Sequence, residues 1–216
     1  MTTVSTARRP LSRERILDAA VRIVDRDGVG ALSMRRLGAA LGVEAMSLYR
    51  HVPGKTALLD GVIERVFAEL QRNVDHLDWR DAFRSLAHSF LELMRRHPHA
   101  IPLVTGVVLT NPAVLGPAGA GMATLRRAGF DAGTSLRVLC TVVSFVIGYA
   151  LWESGTTELR AKERARAAAG LPGPPLPPDV DPYIAALAPQ LAAMDPEESF
   201  AYGLDVILRG LDAMLT

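Results

Sequence analysis

Residues 32–55 constrain the chain more than any other stretch: Leu-Ser-Met-Arg-Arg-Leu-Gly-Ala-Ala-Leu-Gly-Val-Glu-Ala-Met-Ser-Leu-Tyr-Arg-His-Val-Pro-Gly-Lys. Met34, Leu37 and Leu41 recur at i, i+3 and i+7, one face of a helix. Ser33 is placed to cap the free N–H groups at its start. Gly42 supplies a turn that residues with a Cβ make reluctantly. Leu48 and Val52 give a following helix an inward face, and Pro53-Gly54 stops it. Two short helices across a tight glycine turn are the geometry of a helix-turn-helix, whose second helix enters the DNA major groove. The stretch therefore makes the chain a candidate reader of double-stranded DNA.

Charge agrees with that placement. The net charge of +1 conceals an asymmetry: residues 1–56 hold ten Arg/Lys and five Asp/Glu, net +5, and residues 57–216 hold fourteen and eighteen, net −4. A basic head neutralises phosphates and releases counterions, so the basic part should approach a duplex first. With 49% apolar and 22% charged residues, a packed globular core is expected. The single cysteine, Cys140, excludes an internal disulfide and a multi-cysteine zinc site, and its apolar surroundings suggest a small buried side chain. Residues 1–11 lack the apolar core of a secretory signal. Val138–Trp152 is too short for a membrane span and reads as a buried core helix. A cytoplasmic protein with no membrane contact is the expectation.

Along the chain the spacing predicts only helices. Residues 1–11 read as a flexible tail. A helix runs from the cap Ser12 to Asp27, with Gly28 as its stop and Ile16, Ala20, Ile23 and Val24 inside. Helices follow over about 33–41 and 45–51. Lys55 opens another, with Leu58, Leu59, Val62, Val66, Phe67 and Leu70 inward. Trp79–Arg96 carries Phe83, Leu86, Phe90, Leu93 and Met94 at helical spacing. Four prolines break 98–117, so short or kinked pieces are expected there, before a helix over 119–128 closed by Gly129. Asp131 or Thr134 caps a long apolar helix to about Glu153, and 158–169 suits an exposed helical arm. Residues 170–182, with six prolines and two glycines, read as an extended loop. Two last helices cover 183–194 and 196–215, the latter lined by Phe200, Leu204, Ile207 and Leu211. The expected fold is all-α, nine or ten helices and no sheet. A three-helix helix-turn-helix head (12–56) would sit on a larger helical-bundle body (57–216) for ligand binding and dimerisation.

With these pieces in place the chain resembles the tetracycline-repressor (TetR) family of bacterial transcription regulators. The matching words are Arg15-Ile16-Leu17-Asp18-Ala19-Ala20, Gly30 to Leu37, Leu41-Gly42-Val43, Leu48-Tyr49-Arg50-His51-Val52 and Lys55 to Asp60. The body also resembles the tetracycline-repressor branch: Gly129-Phe130 before a long apolar helix, a charged arm, a proline-rich loop, and Phe200 to Leu204 opening the last helix. The resemblance implies a homodimer, a ligand cavity in each body, and release of operator DNA when a small-molecule effector binds.

It also implies roles for individual residues. Arg35, with Ser33 beside it, stands where the branch places an arginine that reaches a guanine, whose O6 and N7 fit its fork. Ala45, Met46 and Ser47 match positions facing base edges, but Ala45 and Met46 offer only apolar contact. Arg50 replaces the branch's usual tryptophan. Tyr49, His51, Lys55 and Thr56 match phosphate contacts, Lys55 at a helix N-terminus. In the body, the metal-binding histidine and acid of the tetracycline branch fall near Leu103 and Trp152, with Glu153 adjacent. The asparagine and histidine that clamp the drug fall near Leu86 and Gln71. An effector other than magnesium–tetracycline is expected. Phe90, Leu103, Val104, Met122, Phe145, Tyr149 and Trp152 are candidate ligand contacts, each read more simply as core. His97 and His99 lie two apart, a weak pattern for a metal, and His88 reads as an ordinary packed histidine. No nucleophile–base pair or phosphate-cradling loop supports enzymatic chemistry, and no cofactor is implied. Two readings stay open beside the ligand-responsive repressor: a regulator without effector, and an all-helical enzyme or carrier with an adaptor head. The expected dimer seam pairs helices near 132–152 and 196–215 across a two-fold axis.

Overall fold

The computed structural model describes residues 10–70, 73–105, 111–171 and 179–213. Among them all regular structure is helical: α1 (Arg13–Asp27), α2 (Met34–Leu41), α3 (Ala45–Leu48), α4 (Lys55–Phe67), α5 (Trp79–Arg96), α6 (Ile101–Thr105), α7 (Pro112–Arg127), α8 (Ala132–Ala168), α9 (Pro182–Ala193) and α10 (Pro196–Asp212), with 3-10 turns at Val29–Ala31 and Pro98–Ala100. Most of the expected tail, Gln71 and the centre of the proline-rich loop lie outside the described residues. The chain forms two compact units, Met1–Arg72 with Arg96–Gly119, and Asn73–Arg95 with Ala120–Thr216.

In the first unit α1 starts where Ser12 Oγ accepts from the Arg15 N–H at 3.2 Å, and ends at Gly28, whose φ of 79° suits a residue without Cβ. Its stripe Ile16, Leu17, Ala19, Ala20, Ile23 and Val24 is buried. Burying Ile16, Leu17, Ile23 and Val24 contributes about 1.5–3 kcal/mol each, which makes this stripe the anchor of the unit. The stripe packs on α4, where Leu58, Val62, Ile63, Val66 and Phe67 face inward and Leu59 is half-buried. The two helices meet closely at Gly61: a Cβ there would lie 2.4 Å from a Leu17 methyl.

In the second unit Phe83, Phe90, Leu91, Leu93 and Met94 of α5 are buried, with Leu125 of α7, Val138, Val142, Val146 and Ala150 of α8, and Phe200, Leu204 and Leu208 of α10. Gly129 (φ 96°) turns the chain after α7 so that Phe130 meets Trp79 edge-on at 5.1 Å.

Several expectations need correction. The α7 helix starts at Pro112, not near 119, and runs through Pro117. Pro112 sits at the first helical position, where no N–H is missed, and Asn111 Oδ1 accepts from the Ala113 N–H. Pro117 forgoes one helical bond and is buried in exchange. The apolar helix and the charged arm are one 37-residue helix, α8, begun by Asp131 accepting from the Gly133 and Thr134 N–H groups. Nor is this a buried core helix. Ala132–Thr157 is long and apolar enough to cross a membrane by composition, yet only 28% of its most apolar window is buried in the chain. Burial falls on 135, 138, 142, 146 and 150, one stripe at helical spacing. Cys140 lies two residues off that stripe, about 200° around the helix, and is exposed rather than buried. On α10, Ile207 and Leu211 are half-buried and Leu208 takes the inner place.

Candidate nucleic-acid interface

Ser33 Oγ accepts from the Arg36 N–H at 3.2 Å and starts α2. Gly42, with φ 67° and ψ 38°, ends it in the left-handed region. Leu37, Leu41, Leu48 and Val52 are all buried, and Met34 is half-buried. A second glycine, not singled out by spacing, decides how close α2 and α3 come. A Cβ on Gly38 would lie 2.8 Å from the Val43 carbonyl oxygen and 3.2 Å from the Ala45 nitrogen. Its sequence signal was there, a glycine in mid-helix four residues before the turn.

The regular part of α3 is shorter than expected. It ends at Leu48, because the His51 and Val52 N–H groups both close onto the Leu48 carbonyl. The chain still completes a further turn, and Met46, Tyr49 and Arg50 keep the three- and four-residue spacing of one face. All three are exposed, Met46 by 75%. Ser33, Arg35, His51, Lys55 and Thr56 are exposed too, while Ala45 and Ser47 are half-buried.

Electrostatics sorts the cations of this region. Arg13 pairs with Glu64 at 2.7 Å, Arg65 with Asp18 at 2.6 Å, and both Arg26 and Arg36 with Asp27 at 2.8 and 2.6 Å. The hydrogen bonds from Arg13 hold the Glu64 carboxyl below its ordinary value against the cost of burial, and Asp18 raises the Arg65 guanidinium. These four arginines are used within the unit. Arg35, Arg50 and Lys55 form no ion pair among the described residues. The unit thus ties down Arg13, Arg26, Arg36 and Arg65 and leaves Arg35, Arg50 and Lys55 open.

In the second unit the aromatic candidates gather. Phe145 stacks on Phe200 at 5.3 Å, Tyr149 meets Phe200 at 5.1 Å and Trp152 at 5.5 Å, and His88 meets Phe200 edge-on at 5.0 Å. Burial, first of all, raises the Tyr149 hydroxyl above its ordinary value. The His88 Nδ1–H donates to the Arg84 carbonyl at 2.8 Å. Glu153 is held by the Arg95 guanidinium at 2.7 and 2.8 Å, and Arg95 also meets Glu92 and Glu197. Phe90 is buried and Met122 half-buried in this unit, whereas Leu103 and Val104 belong to the first, half-buried on α6. His97 and His99 face Asp25 of α1 through their Nδ1 atoms, at hydrogen-bond distances.

Fold and surface together define a helix-turn-helix DNA-binding protein with a helical body. Residues 16–62 match the model of the bacterial regulatory proteins of the tetR family, and residues 74–215 match the tetracyclin repressor-like C-terminal domain. The chain belongs to the tetR family of transcription regulators. It is 31% identical over 225 aligned residues to the HTH-type transcriptional repressor DrrR1 of Streptomyces coeruleorubidus, covering 97% of this chain and 83% of that one. It is 30% identical to the class A tetracycline repressor from transposon 1721 of Escherichia coli, covering 91% and 88%. The solved structure of ActR from Streptomyces coelicolor in complex with actinorhodin superposes with a TM-score of 0.76 at 26% identity, covering 96% and 99%.

Proposed function

We propose that this regulator is a repressor that binds a palindromic operator as a homodimer and leaves it when a small, largely apolar effector binds its body. The observation that carries the DNA half is the sorting of cations: Arg35, Arg50 and Lys55 stay open beside exposed Met46 and Tyr49, while Arg13, Arg26, Arg36 and Arg65 are paired. Arg35 then reads a guanine edge, Met46 packs on a thymine methyl, and Ser33, Ser47, Tyr49, His51, Lys55 and Thr56 meet phosphates or neighbouring bases. Ala45 contributes only shape.

One head covers half a palindrome, and two recognition helices must lie about 34–36 Å apart to enter successive major grooves. The apolar residues left open on α8 and α10 supply the seam that fixes this spacing: Leu151 is 52% exposed, Tyr202 76% and Val206 55%. In the body, Phe145, Tyr149 and Trp152 give flat apolar contact to the effector. ActR is solved with actinorhodin, and that likeness supports effector binding here. Release requires that the effector bind the DNA-incompetent form more tightly, a coupling of about 1–3 kcal/mol. Magnesium–tetracycline is not the effector. Leu86, Leu103 and Trp152 offer no metal ligand or polar clamp, and the nearby acid, Glu153, is occupied by Arg95.

Selection of bound fragments from a genomic library, followed by gel-shift titration, tests the reading. A two-fold symmetric site bound by two chains is the expected result. A single chain per site, or recovery of no shared sequence, overturns it. A fluorescence titration with tetracycline and magnesium should show no tight binding.

A further inference from the structure

His97 is the one polar side chain among the described residues that is buried with an unanswered atom. Its side chain is only 9% exposed. The ring sits just past α5 and faces two acids from other elements of the same compact unit. Nδ1 lies 2.9 Å from Asp25 Oδ1, in the last turn of α1, and Nε2 lies 3.4 Å from Glu69 Oε1, two residues beyond the end of α4. A carboxylate oxygen only accepts, so Nδ1 carries the hydrogen. A neutral ring then turns the bare lone pair of Nε2 toward a second carboxylate, away from water. Buried polar atoms without partners are rare enough to need a reason.

We propose that His97 is a proton-operated latch between α1 and the chain leaving α4. A proton taken from solvent onto Nε2 turns two facing acceptors into a charge-assisted hydrogen bond to Glu69. The imidazolium then donates on both sides and joins the two acids. Among the charged neighbours, Arg65 of α4, paired with Asp18, also feels the Glu69 charge. The Arg96 Nε donates to the second Glu69 oxygen at 3.2 Å, and the exposed His99 donates through Nδ1 to the Asp25 backbone carbonyl at 2.7 Å. When the proton leaves, Glu69, half-exposed, turns to water, and the ring keeps Asp25 as its one carboxylate partner. Since α1 is the helix on which α2 and α4 pack, the latch stiffens the scaffold under the reading surface as the pH falls. The inference goes beyond the operator and effector reading and needs neither molecule for its test.

The test uses the full chain with ¹⁵N-labelled histidine. Ring ¹⁵N shifts and amide exchange of residues 22–28, corrected for intrinsic rates, are followed from about pH 5.5 to about pH 8, the span over which histidine switches. The expected His97 signal is a neutral ring with hydrogen on Nδ1 at the upper end and a doubly protonated ring at the lower. Protection of the last α1 turn should fall about threefold or more as the proton leaves. Glu69→Gln supplies the discriminating variant: its carboxamide donates to the bare Nε2, the latch stays closed without a proton, and protection becomes flat with pH. His99 is present in both proteins, so its contribution cancels in the comparison. A neutral ring with hydrogen on Nε2, a ring in one protonation state throughout, or wild-type pH dependence in Glu69→Gln would each overturn the proposal.

Discussion

The helix-turn-helix region and the α8–α10 region solve opposite problems with the same kind of helix. Around α1 to α4 the large apolar stripes are covered from within the unit, and what faces outward is mostly charged or polar, with Met46 and Tyr49 the exposed large side chains of apolar character there. Along α8 and α10 one stripe is covered, and a second row of apolar side chains, including Leu151, Tyr202 and Val206, stays open. The first region is complete as a fold and incomplete as an electrostatic object. The second is incomplete as a hydrophobic one. The difference assigns partners by chemistry: a polyanion to the first, and an apolar face like its own to the second.

The sharpest way to break this contrast is to charge the open row. Leu151→Glu with Val206→Glu leaves each chain folded, because both side chains are exposed in it. The variant should run as a single chain in sedimentation equilibrium. Its affinity for the selected duplex should fall about 100-fold or more, since two linked heads bind far more tightly than one. A variant that remains a dimer would show that the open row is not the seam.

The next effect is inside the first region. Gly38→Ala places a methyl against the Val43 carbonyl, which is backbone and cannot turn aside. It should lower stability by about 1–3 kcal/mol in a urea titration. Gly30→Ala is the control: nothing stands within 4 Å of its Cβ position, and the change should be close to neutral. Equal losses in the two would mean that the α2–α3 approach is not what Gly38 secures.

These two glycines also show where sequence is legible. Periodicity and caps placed α1 and α2 to within a residue or two, because Ser12, Ser33, Gly28 and Gly42 each act on their own neighbours, and spacing found the start of α4 and the bounds of α5. The packing role of Gly38 depends on α3, a separate element, so only the three-dimensional approach reveals it. Proline misled for a related reason: local rules forbid Pro117 in a helix, and burial of its ring overrode them. Cys140 and the open row on α8 were read as core because an apolar run does not say which of its faces the same chain covers. The residues proposed to face DNA were named from motif position; of them Ser33, Arg35, Met46, Tyr49, Arg50, His51, Lys55 and Thr56 are exposed, which leaves them free to do so. What sequence could not supply is the division of the arginines, since Arg36 and Arg35 are neighbours and only Arg36 finds Asp27.

That division predicts different losses for two open cations. Arg35→Ala should cost about 1–3 kcal/mol on the selected duplex and relax the preference at one position, as expected when a base contact is removed. Lys55→Ala should weaken all duplexes alike and lower the slope of log affinity against log salt by about one. Gel shifts across single-position duplex variants and three salt concentrations separate the two outcomes. If Arg36→Ala matched Arg35→Ala in sequence-dependent loss, the sorting by ion pair would be wrong.

The smallest effect concerns the pair that joins α1 to α4 at the surface. Glu64 in the folded chain lies below its ordinary value of 4.5, held there by hydrogen bonds from Arg13. The unfolded chain therefore binds that proton more readily. The stability this adds is fully present above the ordinary carboxylate value and is lost as the pH falls through the lower, folded one. Both side chains are about half-exposed, so solvent screens the pair and its worth is about 0.2–1 kcal/mol. Glu64→Gln should melt slightly below the parent chain at neutral pH, and the two melting curves should converge in acid. High salt should shrink the gap as well, because exposed charges feel the ionic atmosphere. A gap that persisted unchanged in acid would mean that Glu64 acts through packing of its stem on α1, and that the charge in this part of the head is dispensable.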